Sequence, residues 1–158
     1  MRGSEHERSR RLGITPTGAD RTEVPTAAEK ALVKKRVMVF DDDALVLELI
    51  QIILESEGHE VIVRASGENA VEHVRTAQPD LVFLDIVMQT HHGMEVLAEL
   101  QQALPEVPVI LLSGAVTQVD DMPEIARGLG AHGFLEKPFD AQRLVDLVTE
   151  VPLVPHPQ

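Results

Sequence analysis

The strongest constraint on this chain of 158 residues is a fivefold alternation of short apolar runs with amphipathic stretches. Each apolar run has five or six residues, the length of a buried strand, and a stretch with helical periodicity follows it. Strands that alternate with helices predict an α/β fold whose parallel sheet is covered on both faces. Right-handed crossovers make such a sheet doubly wound. The predicted strands are RVMVF (36–40), EVIVR (60–64), DLVFLD (80–85), PVILLS (108–113) and GFLEK (133–137).

Five helices are predicted after these strands. The first is ALVLELIQIILESEG, which Gly58 stops, and the second is GENAVEHVRTA, which ends before Pro79. GMEVLAELQQAL (93–104) and DAQRLVDLVTE (140–150) are the third and fifth, and DDMPEIARGLG holds a weaker fourth. Asp43 and Asp140 are expected to cap the first and last helices. The apolar stripe predicted for the first helix is Leu45, Leu49, Ile52 and Ile53.

Composition divides the chain into three parts. Residues 1–34 mix Arg, Glu, Ser, Thr, Gly and Pro without periodicity, which predicts a disordered or flexible tail. A short helix is expected over residues 27–35, leading into a folded domain at 35–151. Residues 152–158 form a proline-rich end that stops regular structure.

Charge is spread unevenly between these parts. Residues 1–35 carry eight Lys and Arg against five Asp and Glu, a formal charge of +3, whereas residues 36–158 carry six against 21, or −15. An acidic domain repels phosphates, so we expect no direct binding of nucleic acid. The chain has no cysteine, no apolar run long enough to span a bilayer and no apolar secretory segment. These features predict a soluble cytoplasmic protein that does not bind a membrane.

Polar side chains stand at the C-terminal ends of four predicted strands. In an open parallel sheet these ends share one edge, where ligands bind. Three carboxylates, a hydroxyl and an ammonium at that edge suit a divalent cation and a phosphoryl group, and hard oxygen ligands favour magnesium, manganese or calcium. These side chains are Asp41 and Asp42 after the first strand, Asp85 after the third, Ser113 after the fourth and Lys137 after the fifth.

Each of these residues also has an ordinary structural explanation. An aspartate after a strand often caps the next helix, and a serine at a strand end or an exposed lysine needs no further role. Two features favour function: three consecutive aspartates exceed what capping needs, and a carboxylate after four apolar residues is costly to bury without partners.

Four motifs in a fixed order resemble the receiver domain of two-component response regulators over about residues 36–150. They are VMVFDDD, LVFLDIVM with a glycine eight residues after its aspartate, VILLSGA and GAHGFLEKPF. The resemblance implies a flavodoxin-like (βα)₅ fold with strand order 2-1-3-4-5. It also implies a signalling domain rather than an enzyme, with a capacity to phosphorylate itself from small donors and to dephosphorylate itself.

The same resemblance assigns roles around the phosphoryl group. Asp85 corresponds to the phosphoacceptor. Asp41 and Asp42 correspond to the acidic pair that holds Mg²⁺ or Mn²⁺, together with Asp85 and the backbone carbonyl of Val87. The implied phosphoryl donor is the phosphohistidine of a sensor histidine kinase or phosphotransfer protein.

Further roles concern the response to phosphorylation. Lys137 corresponds to the invariant lysine of the family, and Ser113 to the residue whose hydroxyl hydrogen-bonds to the phosphoryl group. Phe134 corresponds to the aromatic switch residue. The implied output is a change in the face formed by the fourth helix, fifth strand and fifth helix, which meets a downstream protein.

The sequence departs from the family in two loops. Gln89 stands where the family often has proline, beside Thr90, His91 and His92. Paired histidines raise the possibility of a transition-metal site, although loop histidines are more often solvated. The segment AVTQVDDMPE is longer than expected before the fourth helix, which leaves the shape of the output face open.

Two other functions fit parts of the pattern. In a phosphatase of the haloacid dehalogenase type, Asp41 would be the nucleophile and Asp43 the acid/base, but the chain is short and shows no second acidic pair after the lysine. A receiver-like interaction module that is never phosphorylated is the other alternative. Because few residues follow 150, we expect a stand-alone receiver or one excised from a longer protein.

Overall fold

The sheet has the architecture that the sequence predicts. A computed structural model describes Thr26, Glu29 and residues 33–114 and 121–153 of the chain. Its five strands are all parallel and lie in the order β2-β1-β3-β4-β5, which confirms the doubly wound fold and the strand order. The strands are β1 (Arg36–Phe40), β2 (Glu60–Arg64), β3 (Leu81–Asp85), β4 (Val109–Ser113) and β5 (Gly133–Glu136).

The helices alternate with these strands and have well-defined ends. Asp43 accepts a hydrogen bond from the Leu45 N–H, and Asp140 accepts from the N–H groups of Gln142 and Arg143, so both predicted caps are confirmed. Gly58 follows the first helix with φ +90°, a conformation that glycine adopts without steric cost. The helices are α1 (Ala44–Ser56), α2 (Ala70–Ala77), α3 (Gly93–Ala103), α4 (Met122–Gly128) and α5 (Ala141–Glu150).

Two apolar cores lie on opposite faces of the sheet, because successive side chains of a strand point to opposite sides. On one face Val39, Phe83 and Leu112 pack with residues of α1 and α5. On the other face Phe40 and Leu84 pack with residues of α2, α3 and α4. Burial on both faces explains why the strand sequences are almost wholly apolar.

The apolar stripe predicted for α1 is wrong. Leu47, Ile50 and Leu54 are the buried residues of this helix, and Ile53 is partly buried against them. Nine of the 13 residues of this helix are apolar, so two stripes with steps of three and four residues fit the helical period equally well. Periodicity therefore could not select the face. The predicted residues left exposed are Leu45 at 75%, Leu49 at 47% and Ile52 at 59%.

Several predictions fall on other parts of the chain. Thr26 and Glu29 exchange backbone-to-side-chain hydrogen bonds of 3.2 Å, a capping box, and Glu29 is helical. The helix expected over residues 27–35 does not reach 35, because the Lys35 carbonyl accepts from the Glu60 N–H and extends the β1–β2 pairing. The rest of the predicted tail, residues 115–120 and residues 154–158 lie outside the described residues. In the described part of the chain, no helix combines the length and apolarity needed to cross a bilayer.

A buried lysine and histidine join the N-terminal edge of the sheet to the end of α5. The Lys35 ammonium donates to the carbonyls of Val148, Thr149 and Val151, where a cation offsets the negative end of the helix dipole. The Lys35 backbone N–H donates to Nδ1 of the buried His59 at 3.1 Å. Burial lowers the pKa of His59 from its ordinary 6.5, and the charge of Lys35 lowers it further against the opposing effect of Glu57.

We expect His59 to make the protein less stable as the pH falls below about 6.5, the pKa of an unperturbed histidine. Its folded-state pKa is depressed, so the unfolded state binds the proton first, and protonated Nδ1 can no longer accept from Lys35. Chemical unfolding between pH 5 and 8 should show wild type losing stability relative to His59→Gln, since glutamine accepts but does not titrate there. The exposed His132→Gln is the control. Parallel pH profiles of wild type and His59→Gln would contradict the prediction.

Candidate functional site

Backbone pairing continues past the strand ends and fixes the residues of the site. The Asp41 N–H donates to the Arg64 carbonyl at 3.1 Å, one residue beyond β1. The Lys137 N–H donates to the Ser113 carbonyl at 2.6 Å, one residue beyond β5. The side chains predicted from the strand ends therefore extend from ordered backbone at a single edge of the sheet.

An ammonium lies between two buried carboxylates at this edge. The Lys137 Nζ is 2.6 Å from Asp41 Oδ2 and 3.5 Å from Asp85 Oδ2. Asp41 is fully buried, Asp85 is 5% exposed, and the Lys137 side chain is 19% exposed. Asp41 also accepts from the Asp43 N–H at 2.9 Å, and Asp85 accepts from the Val87 N–H at 3.2 Å. These bonds fix both carboxylates and offset part of their desolvation cost.

Three carboxylates of the site form a group that could hold a metal ion. One ligand oxygen each from Asp41, Asp42 and Asp85 lie within 4.8 Å of one another. Asp42 is exposed, so the group is open to solvent on one side. Oxygen-only ligands of this kind suit a hard divalent cation such as Mg²⁺, which keeps several waters when it binds protein carboxylates.

The protonation of Asp85 is shifted towards neutral pH. Burial raises the pKa of Asp85 to about 6, and the negative charge of Asp41 acts in the same direction. The charge of Lys137 and the Val87 N–H oppose this shift. An ionised Asp85 is therefore held at a cost in free energy that a nearby cation would relieve.

Ser113 and Phe134 lie on neighbouring strands and on the same side of the sheet. Phe134 pairs with Leu111 in the β4–β5 register, and both belong to the core that faces α2, α3 and α4. Ser113 follows Leu111 by two residues, so the alternation of side chains places it on that same face. Ser113 is buried, Phe134 is partly buried, and Val87, the other predicted residue, is 45% exposed.

A glycine contact explains one of the sequence motifs. A Cβ built on Gly93, eight residues after Asp85, would lie 2.1 Å from the Asp85 carbonyl oxygen. Only a residue without a side chain permits this approach, which brings the start of α3 against the end of β3. The Gly93 N–H donates to the Ile86 carbonyl at 2.8 Å. The spacing of the motif pointed to this glycine, but its contact with the Asp85 carbonyl could be seen only in the folded chain.

The paired histidines lie beside the site and do not join its acidic group. The His92 Nδ1 accepts from the Met94 N–H at 3.3 Å, which makes His92 the cap of α3. The His91 Nδ1 is buried and has no hydrogen-bond partner among the described residues. Over the described part of the chain, the only group of acidic and histidine side chains close enough to share a metal is Asp41, Asp42 and Asp85.

A groove opens on the face formed by α4, β5 and α5, the predicted output face. Its volume is about 540 Å³. Aromatic, proline and charged side chains share its walls, so it offers both apolar and ionic contacts. They belong to Pro123, Phe134, Leu135, Glu136, Pro138, Phe139, Asp140 and Arg143.

A parallel sheet of order 2-1-3-4-5 with an acidic group and a lysine at its C-terminal edge defines the receiver class of α/β proteins. The chain belongs to that family: the model of the response regulator receiver domain matches residues 37–149. This confirms the family predicted from the motifs and its place in two-component signalling.

Curated relatives and a solved structure agree with this assignment. The chain is 31% identical over 110 residues to the alkaline phosphatase synthesis transcriptional regulatory protein PhoP of Bacillus subtilis, covering 70% of the chain and 45% of PhoP. It is 35% identical over 116 residues to the nitrogen assimilation regulatory protein NtrX of Azorhizobium caulinodans, covering 72% of the chain and 25% of NtrX. The crystal structure of NtrX from Brucella abortus matches with a TM-score of 0.68 and 32% identity, over 75% of the chain and 27% of NtrX.

The chain spans half or less of the length of these curated relatives, so the activities and partners of the whole relatives do not transfer directly. Their shared part is the receiver domain, and neither match supports the haloacid dehalogenase alternative.

Proposed function

We propose that this chain takes a phosphoryl group from a partner's phosphohistidine onto Asp85. The observation that carries the proposal is the position of the Asp85 carboxylate, buried at the end of β3 and 3.5 Å from the Lys137 ammonium. The donor would be a sensor histidine kinase or a phosphotransfer protein, in keeping with the receiver family.

The transfer is a displacement at phosphorus. A carboxylate oxygen of Asp85 forms a bond to phosphorus while the phosphorus–nitrogen bond to the donor histidine breaks, and the imidazole leaves with the bonding electron pair. The product is an acyl phosphate. Phosphoryl transfer depends mainly on positioning and on neutralising the phosphoryl oxygens, and Lys137 would supply a positive charge.

The acidic group fits a resident Mg²⁺ or Mn²⁺. Asp41, Asp42 and Asp85 would hold the ion through their carboxylates, and Val87 through its backbone carbonyl. When bound, the ion would neutralise charge on the phosphoryl oxygens. Among the described residues, three carboxylates cluster with one ammonium, and this excess of negative charge supports the proposal.

The proposed response to phosphorylation runs through Ser113 and Phe134. A phosphoryl group adds about −1.5 to −2 charge and three acceptor oxygens. Ser113 would turn towards these oxygens, and Phe134 would move into the space that it leaves. The shared face of these two residues and the groove beside Phe134 support a change in the α4–β5–α5 surface. A downstream protein would recognise that surface.

Several further properties belong to the same proposal. The chain would act as a signalling domain in the cytoplasm. It would catalyse its own phosphorylation from small donors and its own dephosphorylation. Residues 36–158, whose formal charge is −15, would not bind nucleic acid directly. Residues 35–151 would serve as the receiver.

Incubation with acetyl phosphate tests the proposal. In the presence of Mg²⁺ we expect intact-mass spectrometry to show a gain of one phosphoryl group, and excess EDTA should prevent it. Asp43→Asn is a matched control because it changes a neighbouring acid but keeps the oxygen that caps α1. If no adduct forms with acetyl phosphate or with a phosphorylated histidine kinase, the interaction-module alternative is favoured.

A further inference from the structure

A backbone hydrogen bond links two loops across the site. The Gln89 N–H donates to Asp42 Oδ2 at 3.0 Å, between residues 47 apart in the chain. Asp42 lies in the β1–α1 connection, and Gln89 lies in the β3–α3 connection that follows Asp85. Neither strand pairing nor helix capping requires this contact, because Asp43 provides the cap of α1.

The Asp42 carboxylate is less restrained by its surroundings than the carboxylates of Asp41 and Asp85. Asp41 is fixed by Lys137 and the Asp43 N–H, and Asp85 by the Val87 N–H. Asp42 is exposed, and two negative charges lie close to it, so repulsion and solvation both favour turning its carboxylate away from the group. The Gln89 N–H is the hydrogen-bond donor that the structure gives to Asp42.

We propose that the Gln89 N–H positions Asp42 to hold the divalent cation, and so couples metal binding to the loop that follows Asp85. The inference rests on the metal site of the proposed function. A carboxylate has two oxygens and about four lone-pair sites, so Asp42 can accept from Gln89 and still contact a cation. Fixing this side chain before the cation arrives reduces the rotamer freedom lost on binding.

The identity of residue 89 bears on this contact in one way only. Proline, which the receiver family often has at this position, carries no backbone N–H and cannot donate to Asp42. Every other residue retains the donor whatever its side chain. The effect therefore depends on the backbone amide of residue 89, and the amide group of the glutamine side chain is dispensable.

Mg²⁺ titration of three metal-free proteins tests the inference, with binding followed by amide chemical shifts or calorimetry. Gln89→Ala keeps the N–H and should bind Mg²⁺ within about twofold of wild type. Gln89→Pro removes the N–H and should raise the Kd about tenfold, the effect of losing one charge-assisted hydrogen bond. In metal-free wild type the Gln89 amide should also exchange slowly with solvent, and Asp42→Ala should remove that protection.

A second variant without the N–H distinguishes the effect of losing the donor from the effect of introducing the rigid proline ring. Replacing residue 89 by the α-hydroxy acid analogue of glutamine turns its N–H into an ester oxygen without adding a ring, and it should weaken Mg²⁺ binding as Gln89→Pro does. Wild-type affinity in both variants would overturn the role of Gln89 while leaving the metal site intact. If wild type itself binds no Mg²⁺, the metal site of the proposed function fails, and this inference fails with it.

Discussion

Replacing Lys137 with alanine is expected to lower the free energy of unfolding of the metal-free protein by about 3 kcal/mol, within the range for breaking a buried ion pair. The Lys137 ammonium lies within 4 Å of both Asp41 and Asp85, and Asp41 is fully buried. Without the ammonium, two buried carboxylates face each other, and among the described residues only backbone N–H groups donate to them. Urea unfolding at pH 7 in EDTA measures this loss.

Mg²⁺ should restore much of the stability that Lys137→Ala loses. A bound divalent cation would supply positive charge to the same carboxylates, so Mg²⁺ should stabilise the variant more than it stabilises wild type. Lys34→Ala removes an exposed lysine from the same protein and should change little under either condition. An equal loss of stability with and without Mg²⁺ would show that Lys137 does not balance the charge of the acidic group.

Asp85→Asn is expected to stabilise the metal-free protein at pH 7, by up to about 3 kcal/mol. The folded-state pKa of Asp85 is raised to about 6, above its ordinary 3.8. Between these values the folded state binds more protons than the unfolded state, so this group makes stability fall as the pH rises. The cost is fully present above pH 6, and asparagine removes it while keeping a similar shape.

The pH profile is the sharpest measurement of this effect. The unfolding free energies of wild type and Asp85→Asn should be similar near pH 4 and should separate between pH 4 and 6, with the variant more stable above that range. Asp121→Asn changes an exposed carboxylate outside the site and should show no such separation. A variant that is less stable than wild type at pH 7 would contradict the account of Asp85 as a carboxylate held at a cost.

The arrangement of the site could be predicted because it follows from topology. Once alternating strands and helices were identified, the ends of parallel strands had to share one edge, and this placed Asp41, Asp85 and Lys137 together before any distance was known. The helix caps Asp43 and Asp140 could also be predicted from the sequence, because a capping hydrogen bond joins residues only two or three apart in the chain.

Other features depend on contacts that the sequence does not encode locally. The buried face of α1 could not be chosen, because both possible stripes of this helix are apolar. The Gln89–Asp42 bond joins two loops through a backbone N–H, which every residue except proline possesses, so no side-chain pattern marks it. The same holds for Gly93, whose contact with the Asp85 carbonyl exists only in the folded chain.

The most direct test of the central claim is to locate the phosphoryl group. After incubation with Mg²⁺ and acetyl phosphate, borohydride reduction converts an aspartyl phosphate into homoserine, which peptide mass spectrometry identifies by position. The account predicts homoserine at position 85 alone, and none when Mg²⁺ is withheld. Homoserine at position 41 would contradict this account and support the phosphatase alternative. If no aspartate is converted into homoserine, the proposed phosphoacceptor function is refuted.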